Sequence, residues 1–400
     1  MKIAIWWIQF ESGGVDTHLL TFLQNWPDKS DQFVIFSNSN NSGLERISLN
    51  LICLPNLEII YVNISLNWFF RSSVLLSQYL EPYFIYFLKE KSKHYLALYG
   101  PFDVLFSDDG CYPGSWSCLS SLWASYLLGI PVRVLLVHHC AQPRLPFRFK
   151  IEALIDYFVQ NWATDIVAIS RATRATLMDK RGFNTEKLPI RVIHNGVDIL
   201  PVDQICTYNI RLLHSIPIDS FLIGILGRLD PYKGHEDLLL ALNLLESSLL
   251  DKIVVVFIGL GGAHQVSRLH ALACNLGISK NLRIVGYIDC DSRMLISQLD
   301  LLAMLTKDFE GFGLTVAEAM VVGTPVLSTS VGGIPEFLPS HMAFMVPPES
   351  PNDIANAITY IFRNRAEAFT RSTLAKEHIR NFSGLKMSYK FHQLFSFSNL

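Results

Sequence analysis

Two basic residues, Arg228 and Lys233, stand five positions apart in the run Gly227-Arg228-Leu229-Asp230-Pro231-Tyr232-Lys233-Gly234. A guanidinium brings a fixed fork of donors and an ammonium a compact point charge, so the two across a turn suit a diphosphate. On its own the run also reads as a solvated loop with two exposed cations. A second run is Glu310-Gly311-Phe312-Gly313-Leu314-Thr315-Val316-Ala317-Glu318-Ala319-Met320, with seven residues between its two carboxylates. Its glycines let the backbone come close to a ligand. The N–H groups of Leu314 and Thr315, at the start of a helix, can hold a phosphate oxygen. Glu310 falls in the loop and Glu318 about one turn into the helix. As phosphate ligands two carboxylates would be repulsive, so they are read as acceptors for sugar hydroxyls. The plainer reading of each is an acidic residue favoured near a helix N-terminus. A third cluster, Gly323-Thr324-Pro325-Val326 followed by Val331-Gly332-Gly333-Ile334-Pro335-Glu336, is mostly architectural: a strand entry, then a turn into a helix.

The first half offers fewer such groups. Gly13-Gly14 precede a helical stretch from Val15 to Phe22, and a Gly-Gly loop there suits a phosphate. No G-x-G-x-x-G pattern follows, which counts against a nicotinamide or flavin fingerprint. His138-His139 end an apolar run. A neutral imidazole at that place could hydrogen-bond a hydroxyl, although a buried histidine at a strand end is often only structural. Asp108-Asp109 read as an acceptor contact or a polar loop. Asp289-Cys290-Asp291 has the D-x-D spacing that elsewhere holds a divalent cation. Its place before a short helix favours a cap instead, and with Arg228, Lys233 and helix dipoles at hand no metal is expected.

These residues need elements to position them. Lys2 to Ile8, Gln32 to Phe36, Val104 to Phe106, Val132 to His138 and Asp165 to Ile169 read as buried strands. So do Phe221 to Leu226, Ile253 to Ile258, Leu282 to Val285, Asp300 to Leu305 and Pro325 to Ser328. Their continuous apolar character suits parallel sheets covered on both faces. Helical stretches near His235 to Ser247, Gln265 to Asn275, Ser292 to Gln298 and Leu314 to Val322 separate the second set. The fold class is therefore α/β, with two doubly wound Rossmann-like domains facing across a cleft and a site at the carboxyl ends of the strands. The expected division is 1–205 with a returning C-terminal helix at about 378–400, and 206–377.

Composition narrows the classes further. Of 400 residues 50% are hydrophobic and 17% charged, the reverse of a disordered chain. A net charge of −2 gives no electrostatic case for nucleic acid. The most apolar long stretch, Asn67 to Lys89, is broken by Arg71, Glu81 and Pro82, so no membrane span is expected. The N-terminal apolar run is too short for a signal peptide. Seven scattered cysteines with no CxxC pair read as reduced thiols of a cytoplasmic protein.

Taken together, the motifs at 227–234, 310–319, 323–326 and 332–336 resemble those of glycosyltransferase family 4, retaining sugar-nucleotide transferases of the GT-B fold. The resemblance is dense over about 221–340. It is sparser at Gly13-Gly14-Val15, Ala168-Ile169-Ser170 and Ile193-His194-Asn195-Gly196-Val197-Asp198, and weak from Asn38 to Tyr99. It implies that Arg228 and Lys233 bind the donor diphosphate and that Glu318 holds the ribose. Glu310 would contact donor-sugar hydroxyls near the reacting centre, with Gly313, Leu314 and Thr315 meeting phosphate or sugar through the backbone. Gly286 and Tyr287 match the segment that contacts the base, and Gly13 and Gly14 the N-terminal glycine loop. The family carries Glu soon after that loop; here the nearest equivalent is Asp16. His138 matches a histidine near the sugar, with His139 where Asp is frequent.

The implied reaction moves a glycosyl group from a nucleotide sugar, such as a UDP- or GDP-sugar, to a hydroxyl acceptor with retention. The attack comes from the same face, assisted by the leaving phosphate, with no metal and no other cofactor. Alternatives are a GT-B enzyme of another class, an epimerase or phosphorylase, or an inactive nucleotide-sugar-binding protein. The acceptor could be a glycan, a polysaccharide or a lipid-linked intermediate. Residues 61–102 hold 12 of the 47 aromatics, and 141–150 interleave cations with apolar residues. Either stretch could touch the inner face of a membrane peripherally, or be core helices and an acceptor loop.

Overall fold

The computed structural model describes residues 1–9, 13–41, 43–44, 56–63, 74–199 and 208–397, with side chains throughout except at 74–82 and 397. The chain divides into two compact units, Met1–Gly196 with Gly384–Leu400, and Val197–Ser383.

The first unit is built on a seven-stranded sheet: β1 (Lys2–Trp6), β2 (Gln32–Ser37), β3 (Leu57–Tyr61), β4 (Val104–Asp109), β5 (Val132–Val137), β6 (Asp165–Ala168) and β7 (Ile190–Val192). The order is β3-β2-β1-β4-β5-β6-β7, and every pair is parallel. The central strands are apolar because both faces are covered: β4 and β6 are buried at every position. The helix Gly384–Phe397 returns to this unit and lies on the helix Gly14–Gln24. There Phe391 and Phe395 pack against Phe22 and Phe106, and Ser388 Oγ donates to the Phe22 carbonyl at 2.9 Å.

The second unit repeats the plan with six parallel strands: β8 (Phe221–Leu226), β9 (Ile253–Ile258), β10 (Leu282–Val285), β11 (Leu301–Met304), β12 (Val326–Thr329) and β13 (Phe344–Val346). Their order is β10-β9-β8-β11-β12-β13. Strand order reverses between β1 and β4 in one sheet and between β8 and β11 in the other. Such a reversal opens a crevice at the carboxyl ends of the strands, where loops on its two sides diverge. The two-sheet architecture is the one that the strand pattern implies.

Three strands escape the sequence pattern, β3, β7 and β13, and all three are sheet edges. β3 is only partly covered and β7 and β13 are three residues long, so none carries a long buried apolar run. A fourth difference bears on function. Asp108 and Asp109 are not a loop: they are the last two residues of β4, paired with Leu136 and Val137 of β5 and buried.

Candidate functional site

In the second unit, the loops after β8 and β11 flank the reversal point. Lys307 N–H donates to the Tyr232 carbonyl at 2.8 Å, tying one loop to the other. Across that tie Lys233 Nζ donates to Glu310 Oε2 at 2.7 Å, with the Thr306 hydroxyl on the same oxygen at 3.3 Å. Both charged side chains are largely buried. The Glu310 backbone is held from behind, since Gly333 N–H donates to its carbonyl at 2.8 Å. Gly332 has φ +57°, and a Cβ there would stand 2.1 Å from the Glu310 carbonyl oxygen. The Gly332-Gly333 turn therefore fixes a loop rather than merely entering a helix.

Arg228 is about half exposed, pairs with Asp230 at 3.1 Å and reaches the Tyr232 hydroxyl at 3.3 Å. The helix Leu314–Val322 starts at Gly313 without a side-chain cap, and the first N–H groups of a helix have no partner within it. Glu318 lies buried one turn inside this helix. Gly286 and Tyr287 follow β10, two strands from β8 and so about 10 Å along the same sheet edge. Tyr287 is half exposed.

Sequence reasoning missed Arg293. Its guanidinium takes Asp291 at 2.7 Å and the Asp198 carbonyl at 2.8 Å. Burial works against its charge, but Asp291, Asp198 and Glu318 outweigh this and hold it above the usual guanidinium value. Asp291 also caps the helix Ser292–Ile296, accepting from Arg293 N–H at 2.9 Å. The D-x-D spacing thus serves a cap and an ion pair. Among the described residues, the grouping within metal-ligand reach is Asp28, Asp31 and His392. Asp31 is already engaged there by Trp26 Nε1 at 2.9 Å and by the Met1 amine.

The first unit's reversal point has a different chemistry. His138 directly follows β5, and its Nε2 meets Asp108 Oδ1 at 2.7 Å in a buried contact. Its backbone N–H reaches the Asp109 and Gly110 carbonyls. Burial, together with the neighbouring Asp108 charge, pushes the Asp109 carboxyl well above the usual range against the Ser115 N–H bond. His18, also missed, comes from the helix Gly14–Gln24 and sets its ring edge-on to His138, centroids 4.6 Å apart. Burial first, then His138, drives His18 well below the usual imidazole value, and Asn195 lies beside it. In sequence it is one more position on an apolar helix face.

The glycine loop is not an open anion site. Gly13 N–H donates to Asp16 Oδ2 at 2.9 Å, and Gln9 Nε2 donates to the other carboxylate oxygen. A phosphate placed there would meet a carboxylate.

The first unit also holds a buried ion network. Arg181 donates to Glu152 at 2.7 Å and Asp156 at 2.8 Å, and the Tyr112 hydroxyl to Asp156 at 2.7 Å. Arg144 donates to Asp156 and Arg148 pairs with Glu152. Two of the three cations in 141–150 are therefore turned inward. Of 61–102, residues 64–73 lie outside the described residues. Among the described residues no helix is long and apolar enough to cross a membrane.

Two parallel-sheet Rossmann-like units, each with its chemistry at a strand-order reversal, define the GT-B class. Comparison with known proteins agrees. Residues 12–199 match Glycosyltransferase Family 4 and residues 211–378 match Glycosyl transferases group 1. The chain belongs to the group 1 glycosyltransferases of family 4. It is 28% identical over 222 residues to a D-inositol 3-phosphate glycosyltransferase of Corynebacterium jeikeium, covering 54% of this chain and 53% of that protein. An uncharacterized glycosyltransferase of Methanocaldococcus jannaschii is 25% identical over 206 residues, 50% of this chain and 51% of that one. The chain thus matches about half the length of these relatives. Among solved structures, Anabaena HepE in complex with UDP and glucose superposes with TM-score 0.76 at 18% identity, covering 100% of both chains. Sucrose-phosphate synthase from Thermosynechococcus elongatus gives 0.71 at 21%, covering 99% and 98%. At these identities the likeness is one of fold.

Proposed function

We propose that this protein is a retaining, metal-independent glycosyltransferase that moves a sugar from a nucleotide-sugar donor to a hydroxyl acceptor. The observation that carries the reading is the Lys233–Glu310 pair at the β8/β11 reversal, braced by Gly332-Gly333 and adjoining an uncapped helix N-terminus. Lys233, Arg228 and the N–H groups of Leu314 and Thr315, reached over Gly313, take the diphosphate. They stabilise it where negative charge grows as the glycosidic bond breaks. A diphosphate at Lys233 competes with Glu310 for the ammonium and frees the carboxylate for the sugar hydroxyls. Glu318 holds the ribose, and Gly286 and Tyr287 meet the base. His138 orients a hydroxyl of sugar or acceptor. Phosphate belongs to the second unit rather than to Gly13-Gly14, where Asp16 stands.

These side chains supply the positive charge that the leaving group needs, and Asp291 is committed to a cap and to Arg293, which favours metal independence. Retention follows from attack on the face that the diphosphate leaves, with the phosphate taking the acceptor proton. A UDP-sugar is the first donor to try, because the HepE structures hold UDP and UDP-glucose. A polyol phosphate is a reasonable first acceptor, by the inositol-phosphate relatives. A lipid-linked acceptor is also within the proposal, with the first unit touching the inner membrane face. Exposed Tyr83, Tyr86, Phe87, Phe147, Phe149 and Tyr157 support this.

The test is a panel of UDP-, GDP- and ADP-sugars, with binding followed by thermal shift and products by anomeric NMR, with and without EDTA. Retained configuration and EDTA-insensitive transfer are expected. Glu310→Ala should lower transfer by about 100-fold or more while nucleotide binding stays within about threefold. Transfer that survives the substitution overturns the site. An epimerised or phosphorolysed donor identifies another GT-B enzyme, and binding without turnover identifies a sensor.

A further inference from the structure

Asp108 and His138 reach each other from adjacent strands at the β1/β4 reversal of the first unit. The contact is buried, short and single: one carboxylate oxygen on one ring nitrogen, Oδ1 on Nε2, at 2.7 Å. A carboxylate can only accept a hydrogen bond, so the proton of that contact sits on Nε2. The partner of one ring nitrogen decides the state of the other. We infer that Asp108 is the positioning residue of His138, holding it in the Nε2–H tautomer so that Nδ1 is left as an acceptor. The group received at Nδ1 is then a hydroxyl donating its hydrogen, and not a phosphate or carboxylate. This rests on the reading above that His138 meets substrate, and it adds which chemical group it meets.

Three further observations point the same way. Burial, with Asp108 beside it, pushes the adjoining Asp109 carboxyl well above the usual range, so a second negative charge next to Asp108 is disfavoured. The His138 main chain is fixed by N–H bonds to the Asp109 and Gly110 carbonyls, at 3.2 and 3.1 Å. The His18 ring stands edge-on at 4.6 Å, and its burial, which disfavours a charge there, closes one side of the His138 ring with an apolar wall. An imidazole bounded by a carboxylate and an uncharged ring is badly placed to receive an anion and well placed to receive a hydroxyl.

The tautomer can be read without any substrate. The full chain labelled with 15N-histidine has 12 histidines, and His138 is assigned by its loss in His138→Gln. Recorded where the ring carries a single proton, the unliganded protein should show that proton on His138 Nε2. A single proton found on Nδ1 instead overturns the proposal with no variant needed. In Asp108→Asn the side-chain amide can donate as well as accept, so the Nδ1–H form should appear. An unchanged Nε2–H signal there overturns the proposal. UDP-glucose hydrolysis by Asp108→Asn should fall about 10- to 100-fold, in line with other partners that orient a working histidine, with UDP affinity within twofold. If the tautomer shifts but UDP-glucose turnover does not, Asp108 still positions His138, and what fails is the assignment of His138 to the reaction.

Discussion

The two units share a strand plan and place their polar groups at the same point of it, yet the chemistry there is opposite. At β8/β11 the groups are cations and an uncapped helix start, partly open to solvent, with Arg228 half exposed. At β1/β4 they are buried carboxylates and imidazoles, with His18 and Asp109 both shifted by burial toward their neutral forms. The first set suits an anion that arrives with its own charge. The second suits neutral hydroxyls, since a buried charge without a partner is costly and a buried imidazole avoids it by staying neutral. The fold supplies a location twice over. The loops decide what each location accepts.

The comparison is broken most severely by attacking the scaffold of one unit. Arg181→Ala leaves Glu152 and Asp156 buried without their main partner, a loss worth about 3–5 kcal/mol. All seven tryptophans precede residue 163, so tryptophan fluorescence in urea reports the first unit. Its midpoint should fall sharply in Arg181→Ala. An unchanged midpoint would mean that the network does not support this unit.

Next in size is a pH effect in the second unit. His235 opens the helix His235–Asn243, and burial, then the Lys233 charge, lower its pKa to about 4. The unfolded chain takes up a proton near pH 6.5, where the folded chain refuses it. Stability due to this group is thus complete above about pH 6.5 and falls as pH drops toward 4, by ~3 kcal/mol in all. His18 should act in the same direction in the first unit. His235→Leu should remove the second unit's share, seen as a flatter stability–pH slope between pH 6.5 and 4. An unchanged slope would show that His235 is not held neutral.

How far the two regions could be read in advance differs for the same physical reason. Around β8/β11 the active groups sit in loops with Gly and Pro between apolar runs, and seven-residue spacing of Glu310 and Glu318 is a linear signal. Even so, the Lys233–Glu310 bond joins residues far apart in sequence and is invisible there. At β1/β4 the decisive contacts are made by side chains that look structural. His18 is one member of an apolar helix face, and Asp108 extends a strand that alternation and hydropathy end at Phe106. The edge strands β3, β7 and β13 were hidden because edges need no continuous apolar run.

A binding measurement sharpens the contrast. Lys233→Ala should weaken UDP by about 10- to 100-fold, the worth of one charge-assisted hydrogen bond at 1.5–3 kcal/mol. Asp108→Asn should leave UDP affinity within twofold, because the proposed function gives the diphosphate to the second unit. Isothermal titration with UDP tests both. Equal losses in the two variants would end the division of labour.

The smallest expected effect compares two helix starts. The helix Arg171–Arg181 of the first unit is capped by Ser170, whose hydroxyl accepts from Thr173 N–H at 3.0 Å. The helix Leu314–Val322 of the second begins at Gly313 with φ +91° and no side-chain cap. A capping side chain needs an extended residue at that place, and the left-handed Gly313 supplies none. One start is closed by its own side chain; the other is the one that the proposed function gives to the donor. Ser170→Ala should therefore cost ~1 kcal/mol in unfolding with no change in UDP affinity. Gly313→Ala, which strains the turn by about 1–2 kcal/mol, should cost a similar amount of stability and weaken UDP as well. If both variants lose only stability, the open helix start in the second unit takes no part in holding the donor.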